Sequence, residues 1–118
     1  MSKQYDKLKR TRSKAEKLWA LKHVKEYCEV CGGPPGPVHH FYYKGSFPHL
    51  RYDEDNGITL CIKCHAKLHF RDPKLVNPFI VEARGQEWFE RLQEKSMNPP
   101  KYFKTCLSWY QDKLKELQ

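Results

Sequence analysis

Apolar residues near the N-terminus recur at the spacing of an amphipathic helix. Three of them follow one another at intervals of three residues: Leu18, Leu21 and Val24. This period places them on one helical face. Ser13 can cap the helix, and Glu16 stands three residues later, as in a capping box. The pattern therefore predicts a helix over residues 13–26.

The middle of the chain shows short extended runs between turns instead. Residues 38–43 follow several prolines and are rich in residues that favour strands. After a Lys-Gly turn, residues 47–52 are predicted to run back along them as a hairpin, and residues 58–60 are strand-like. Residues 62–70 show a helical pattern that an Asp-Pro pair ends.

Helical patterns return in the last third of the chain. A helix over residues 77–96 is predicted, and Gly85 weakens its first half and marks a possible break. A second apolar stripe follows an Asn-Pro-Pro start signal, at Phe103, Leu107, Tyr110, Leu114 and Leu117. The fold class expected is α+β and mostly helical, with a small β-containing core between helices.

The charge of the chain indicates a polyanionic partner, and its low hydropathy indicates that a bound metal supports the fold. The 118 residues carry a formal net charge of +8, 31% of them are charged, and the mean hydropathy is −0.87. So little apolar material favours an additional constraint on the fold, such as a metal. Nine basic residues stand against three acidic ones in residues 1–26, which suits an element that binds a polyanion. Charge alone supports a solvated basic helix equally well.

The chain shows no pattern typical of a signal peptide or of a membrane-spanning segment. We therefore expect a cytoplasmic protein and no membrane partner. Thiols stay reduced there, which favours metal binding over disulfides. Cys106 has no nearby cysteine partner and is predicted to be a small buried apolar residue.

The other four cysteines form two CxxC pairs, Cys28–Cys31 and Cys61–Cys64. Four thiolates at this spacing are typical of a closed tetrahedral Zn²⁺ site that supports a fold. The alternatives are two reduced pairs without metal, or two disulfides. We expect a structural Zn²⁺ bound by all four cysteines.

Between and after these pairs stand histidines and an asparagine at characteristic offsets: His39, His40, Asn56, His65 and His69. This pattern resembles the HNH endonucleases of the ββα-metal (His-Me finger) superfamily, and the CxxC pairs resemble its zinc-stabilised branch. The run HHFYYKGSFPHLRYDEDN is also similar to phage NinG/Rap recombination proteins. If a phage encodes the protein, the expected location is the cytoplasm of the host. The resemblance implies one nuclease domain over 1–118, with a basic helix in 1–27, a zinc-stapled ββα-metal core in 28–70 and C-terminal helices in 71–118.

The resemblance also implies roles for the individual residues. His40 corresponds to the general base and Asn56 to the asparagine that pins the loop, orients the base and fixes its tautomer; together with His65 they form the expected catalytic set. His39, His65 and His69 are the expected ligands of a catalytic divalent metal. A set of imidazoles favours Zn²⁺, Ni²⁺, Co²⁺ or Mn²⁺ over Mg²⁺.

The residues and the resemblance together indicate a metal-dependent DNA endonuclease or nickase, acting on branched recombination intermediates if the NinG/Rap likeness holds. Cutting both strands of a DNA junction would need two active sites, which a homodimer would supply. The competing hypothesis is a zinc-binding adaptor for DNA or protein, which has no need of both His40 and Asn56.

Candidate phosphate contacts are Lys9, Arg10, Arg12, Lys14, Lys44, Arg51 and Lys67. The aromatics Tyr42, Tyr43 and Phe47 are expected to pack in the core rather than to stack on bases.

Overall fold

The computed structural model describes residues 2–118 and contains five α-helices and a two-stranded sheet. The helices are α1 (Lys3–His23), α2 (Ile62–Phe70), α3 (Asn77–Arg84), α4 (Gln86–Met97) and α5 (Leu107–Leu117). The strands are β1 (Val38–His40) and β2 (Gly57–Thr59), and short 3-10 turns lie at Pro48–Leu50 and Pro73–Leu75. The predicted α+β, mostly helical fold is confirmed. None of the helices in residues 2–118 is long and apolar enough to cross a membrane.

Helix α1 is longer than the sequence pattern predicts. Ser2 caps it by accepting a hydrogen bond from the backbone N–H of Tyr5 at 3.2 Å, so the predicted start at Ser13 is wrong. Residues 3–12 are rich in lysine and arginine, which are good helix formers, and they extend the helix by about three turns. The helix packs along α5, and a buried cluster of Ala15, Trp19, Tyr52 and Tyr110 joins them.

The two strands form an antiparallel pair in which His39 stands opposite Ile58 and His40 opposite Gly57. The predicted return of residues 47–52 as a strand is wrong, because Pro48 begins a 3-10 turn and β2 is the partner of β1. Residues 41–56 form a long loop between the strands. Helix α2 follows β2 directly, so β1, β2 and α2 make the ββα unit that the resemblance implies.

The main core lies between this unit and the helices α3 and α4. Its most deeply buried side chains are Ile58, Leu60, Val76, Ile80 and Leu92. The predicted break at Gly85 is confirmed: its φ of 99° lies in the region that favours glycine, and the chain turns there from α3 into α4. The prediction for Cys106 is wrong, since this residue is half-buried at the N-cap of α5.

Candidate active site

The four cysteines of the CxxC pairs meet at one point. Their sulfur atoms all lie within 4.8 Å of one another, and the Sγ atoms of Cys31 and Cys61 are 3.6 Å apart. Cys28, Cys61 and Cys64 are buried, whereas Cys31 is exposed. Four convergent thiols without a disulfide are the donor set of a structural Zn²⁺ site. The residues therefore fit the predicted zinc.

Local backbone geometry aims these thiols at the common point. The first pair lies in a tight turn in which the Cys28 N–H donates to the Gly33 carbonyl, and Gly32 has a φ of 74°. The second pair begins α2, where Cys61 is the N-cap and its sulfur accepts from the backbone N–H of Cys64 at 3.4 Å. Burial opposes charge on Cys28, but backbone hydrogen bonds at Cys31 and Cys61 outweigh it and lower the pKa of the Cys28 thiol to about 6.

A buried carboxylate that sequence reasoning missed connects this turn to the rest of the core. Glu29 accepts from the backbone N–H of Thr59 at 2.7 Å and from the guanidinium of Arg84 at 2.6 and 2.9 Å. Arg84 also donates to the carbonyl of Gly57 at 2.6 Å. Burial acts to raise the pKa of Glu29, but these partners outweigh it and lower the pKa below its usual value. The network holds β2 and α3 against the cysteine turn.

Three histidines form a second cluster between β1 and α2. One ring nitrogen from each of His39, His65 and His69 lies within 4.8 Å of the other two. His39 stacks on His65 with ring centroids 3.8 Å apart, and His65 and His69 stand one helical turn apart on the same face of α2. The structure thus brings together the three residues predicted as metal ligands.

The chemistry of this cluster suits a metal ion. The Nε2 atom of His39 is buried and has no hydrogen-bond partner in the part of the chain that the structure describes. Burial first, and then the neighbouring His65 and His69, lower the pKa of His39 to about 4. Neutral imidazole is the form that binds metals, and an unsatisfied buried nitrogen is costly without a partner. The three histidines therefore fit a divalent metal.

His40 lies on the other side of the strand and contacts α1 instead. Its imidazole stacks on the indole of Trp19, with ring centroids 4.4 Å apart and an interplanar angle of 12°. Its Nε2 lies 2.8 Å from the backbone carbonyl oxygen of Arg51. A carbonyl only accepts, so in the neutral ring Nε2 carries the proton and Nδ1 carries the lone pair. Burial lowers the pKa of His40.

Asn56 is fully buried and fastens both ends of the loop over residues 41–56. Its Oδ1 accepts from the backbone N–H of Tyr42 at 2.8 Å. Its Nδ2 donates to the carbonyls of Tyr42 at 3.1 Å and Leu50 at 3.0 Å. The His40 ring donates to the Arg51 carbonyl and not to Asn56, so Asn56 contacts the expected base only indirectly, through the loop.

An open cleft of about 500 Å³ is lined both by members of the histidine cluster and by His40. His39, His40 and His69 line it together with residues of α1 and of the loop, among them Glu16, Lys17, Tyr43 and Lys44. Of the aromatics expected to pack, Tyr42 and Phe47 do pack against the core, whereas the side chain of Tyr43 is 45% exposed beside His69. The cleft therefore has imidazole, cationic and aromatic groups on its walls.

The predicted phosphate contacts fall into different environments. Lys9, Arg10, Lys14 and Lys67 are exposed. Together with Ser13 and Lys17, the first three line a shallow groove of about 310 Å³ on α1. Lys17 also lines the cleft, so it connects the two surfaces, and sequence reasoning missed it.

The other three predicted contacts, Arg51, Lys44 and Arg12, interact with neighbouring residues of the protein. Arg51 is paired with Glu16, its Nε lying 2.9 Å from a carboxylate oxygen, and its side chain is only 13% exposed. Lys44 lies 3.3 Å from the same oxygen and is half-exposed. Arg12 is half-buried, and its carbonyl accepts from the hydroxyl of Tyr52. Arg51 in particular is not free to bind phosphate in this arrangement.

Comparison with known families gives a match over part of the chain. Residues 28–71 match the family model of the HNH endonucleases, which act on DNA. The matched segment contains both CxxC pairs and the residues His39, His40, Asn56, His65 and His69, and it leaves α1 and the C-terminal helices outside. No curated protein and no solved structure matches the chain. The match supports a nuclease domain in this segment, and the narrower resemblance to NinG/Rap gains no support.

Proposed function

We propose that this protein is a metal-dependent DNA endonuclease or nickase that hydrolyses phosphodiester bonds at the cleft of His39, His40 and His69. The observation that carries the proposal is that two neighbouring residues of β1, His39 and His40, contact different parts of the protein. His39 turns to the histidine cluster of α2, and His40 turns to Trp19 and Arg51. Alternation along a strand separates the two rings, while the cleft brings both to one substrate surface.

His40 is proposed as the general base. Its Nε2–H donates to the Arg51 carbonyl, which leaves the Nδ1 lone pair to take a proton from the attacking water. A lowered pKa keeps the ring neutral at physiological pH, so that this lone pair is available. Asn56 keeps the 41–56 loop, and with it the Arg51 carbonyl, in place.

His39, His65 and His69 are proposed to hold the catalytic divalent metal. When bound, such an ion supplies positive charge that stabilises the phosphoryl oxygens and the departing oxygen. The three imidazoles favour Zn²⁺, Ni²⁺, Co²⁺ or Mn²⁺ over Mg²⁺. The four cysteines hold a separate structural Zn²⁺ that supports the β1–β2–α2 unit.

The DNA is proposed to lie across the cleft and along the outer face of α1. The groove on α1 shares Lys17 with the cleft and is also lined by Lys9, Arg10 and Lys14, whose charges attract phosphates. Lys44 at the cleft and Lys67 on α2 are further candidates. We leave Arg51 out of this set because its guanidinium is paired with Glu16.

A more specific hypothesis is that the substrate is branched DNA formed during recombination. This hypothesis depends on the NinG/Rap resemblance alone. Cutting both strands of a junction needs two active sites, which a homodimer would provide. Assays on linear, nicked and four-way junction DNA would test the substrate. Sedimentation of the protein with and without a junction would test the dimer.

The central experiment incubates the zinc-loaded protein with these DNAs in the presence of Mn²⁺, Mg²⁺, Ni²⁺, Co²⁺ or Zn²⁺. We expect cleavage by the wild type and a loss of about 10²–10⁴-fold in His40→Ala that excess metal does not rescue. His65→Ala should also lose cleavage, but excess metal should partly restore it. His49→Ala is the matched control, since His49 hydrogen-bonds to the Lys95 carbonyl away from the cleft.

A wild-type protein that binds DNA but cuts none of these substrates in any metal would support the adaptor hypothesis instead. An active His40→Ala enzyme would leave the nuclease hypothesis standing and overturn the assignment of the base. The two results are therefore distinguishable in one set of reactions.

A further inference from the structure

Helix α1 lies outside the segment that matches the HNH family, yet two of its residues contact the surroundings of His40. Trp19 touches the His40 ring directly, and Glu16 pairs with Arg51, whose carbonyl accepts from that ring. Glu16 and Trp19 are three residues apart and so share a face of the helix. The HNH segment alone therefore does not contain everything that surrounds the proposed base.

Trp19 itself is rigidly held. Its side chain is 2% exposed, and its Nε1 donates to the backbone carbonyl of Asp53 at 3.0 Å. The parallel stack restricts rotation of the His40 ring about its Cβ–Cγ bond, because a turned ring would clash with the indole. Trp19 thus fixes the plane of the ring.

Glu16 acts on the other contact of His40. Its carboxylate accepts from Nε and Nη2 of Arg51, and Lys44 lies 3.3 Å from the same oxygen. Arg51 stands at the end of the 3-10 turn over Pro48–Leu50, where its backbone N–H donates to the Pro48 carbonyl at 3.3 Å. Pairing the side chain of Arg51 holds its backbone, and hence the carbonyl that accepts from His40.

We propose that Glu16 and Trp19 are positioning residues, which hold His40 in one orientation and one tautomer from helix α1. Trp19 sets the plane of the ring, and the Glu16–Arg51 pair sets the carbonyl that keeps the proton on Nε2. The inference rests on the proposed role of His40 as the base of a nuclease. It assigns α1 a part in catalysis in addition to DNA binding.

The test compares Glu16→Ala with Glu16→Gln in the zinc-loaded protein. The amide oxygen of glutamine can still accept a hydrogen bond from Arg51. Glu16→Gln should therefore still hold Arg51 in part, and His40 should be less disturbed than in Glu16→Ala. Glu26→Gln removes an exposed carboxylate just after α1 and is the matched charge control. Zinc content and thermal unfolding show whether each variant is folded. Trp19→Phe, which keeps an aromatic ring, is the milder variant at the second position.

Two readouts separate positioning from a general loss of stability. The first is the ¹⁵N spectrum of the histidine rings, which reports the tautomer of His40 and does not depend on cleavage. The second is the division of the kinetic effect between kcat and KM. We expect mixed tautomers in Glu16→Ala and a fall in kcat of about 10-fold with KM unchanged or lower, because a slightly misplaced base loses rate rather than binding.

A single Nε2–H tautomer of His40 in Glu16→Ala would overturn the inference, whatever the activity. A kcat within about twofold of the wild type would also overturn it, since small misplacements of catalytic groups are costly. If the wild type cuts no DNA, the proposed function fails by itself. The tautomer spectrum then still decides whether Glu16 and Arg51 hold the ring.

Discussion

The Sγ atoms of Cys31 and Cys61 lie 3.6 Å apart, although 30 positions separate the two residues in the sequence. Four thiolates bound to Zn²⁺ at ~2.3 Å would occupy the corners of a tetrahedron with edges of about 3.8 Å. The observed separation is close to that edge length. The chain therefore brings two distant turns to the spacing that this ion requires.

The first prediction concerns this site. Cys28→Ser or Cys61→Ser should release the zinc and unfold most of the domain, because a structural zinc of this kind contributes ~10 kcal/mol or more. Elemental analysis and circular dichroism would measure both effects. Cys106→Ser is the matched control and should keep both the zinc and the fold, since Cys106 lies outside the cluster. A folded wild type without zinc would contradict the prediction.

Much of the ββα unit could be predicted because local signals define its parts. Helix α2 begins and ends where its pattern indicates, and the Asp-Pro pair that follows explains its end. The break at Gly85 was likewise predictable, since glycine alone adopts its backbone conformation without strain. The resemblance to the HNH endonucleases, carried by the offsets between the histidines, indicated that His39, His65 and His69 would meet.

The remaining errors arise where distant contacts decide the structure. Ser13 has the local signature of a cap, but packing of α1 along α5 and good helix formers before Ser13 continue the helix through it. The stack of Trp19 on His40 and the pair of Glu16 with Arg51 join residues far apart in sequence. Local sequence patterns do not indicate contacts between distant residues. The contacts of α1 with the proposed base and its surroundings were therefore not predictable.

The second prediction concerns Asn56. Asn56→Ala should destabilise the protein by about 3 kcal/mol, because it leaves the backbone groups that Asn56 satisfies at Tyr42 and Leu50 without partners. Urea unfolding of the zinc-loaded protein would measure the change. Asn98→Ala provides a control: Asn98 is exposed and makes one such bond, so its loss should cost under about 1 kcal/mol. Equal effects of the two substitutions would show that Asn56 does not fasten the loop.

The third prediction concerns the number of metal sites. The wild type with its cysteine site filled should bind one further Co²⁺ or Zn²⁺ ion, and His65→Ala should bind it at least about 10-fold more weakly, because one of three ligands is removed. Isothermal titration calorimetry would give the stoichiometry without any need for activity. His49→Ala should bind like the wild type. A second ion that binds equally well to His65→Ala must lie elsewhere.

The fourth prediction concerns the ion pairs that tie the 41–56 loop to α4. Asp55 accepts from Arg91 at 2.9 and 3.0 Å and from Lys95 at 2.8 Å. The Arg91 bonds first, and then Lys95, lower the pKa of Asp55 to about 2 despite its burial. A lowered pKa means that the ionised form stabilises the fold at pH values above about 4 and that this contribution is lost as the pH falls from about 4 to about 2.

Asp55→Asn should therefore destabilise the protein at neutral pH by about 1 kcal/mol, a modest value because Arg91 is half-exposed to solvent. The difference in unfolding free energy from the wild type should be constant between about pH 6 and 8, since Asp55 stays ionised throughout that range. Urea unfolding at several pH values would measure it. Glu82→Gln, at an exposed position on α3, should be neutral. A difference that grows with pH in this range would point to another titrating group.

The last prediction concerns the outer face of α1. Lys9, Arg10 and Lys14 line the same groove, whereas Arg12 does not line it and is half-buried. Replacing the three groove residues by glutamine should lower the slope of log affinity against log salt by roughly 0.9 for each phosphate that the protein no longer neutralises. Arg12→Gln should change the slope much less. Fluorescence anisotropy with labelled duplex DNA at several salt concentrations would measure both. Lys101→Gln, Lys104→Gln and Lys115→Gln together remove three exposed charges outside the groove and control for net charge. If the groove variant and this control reduce the slope equally, α1 contributes only to the overall field and does not contact the DNA.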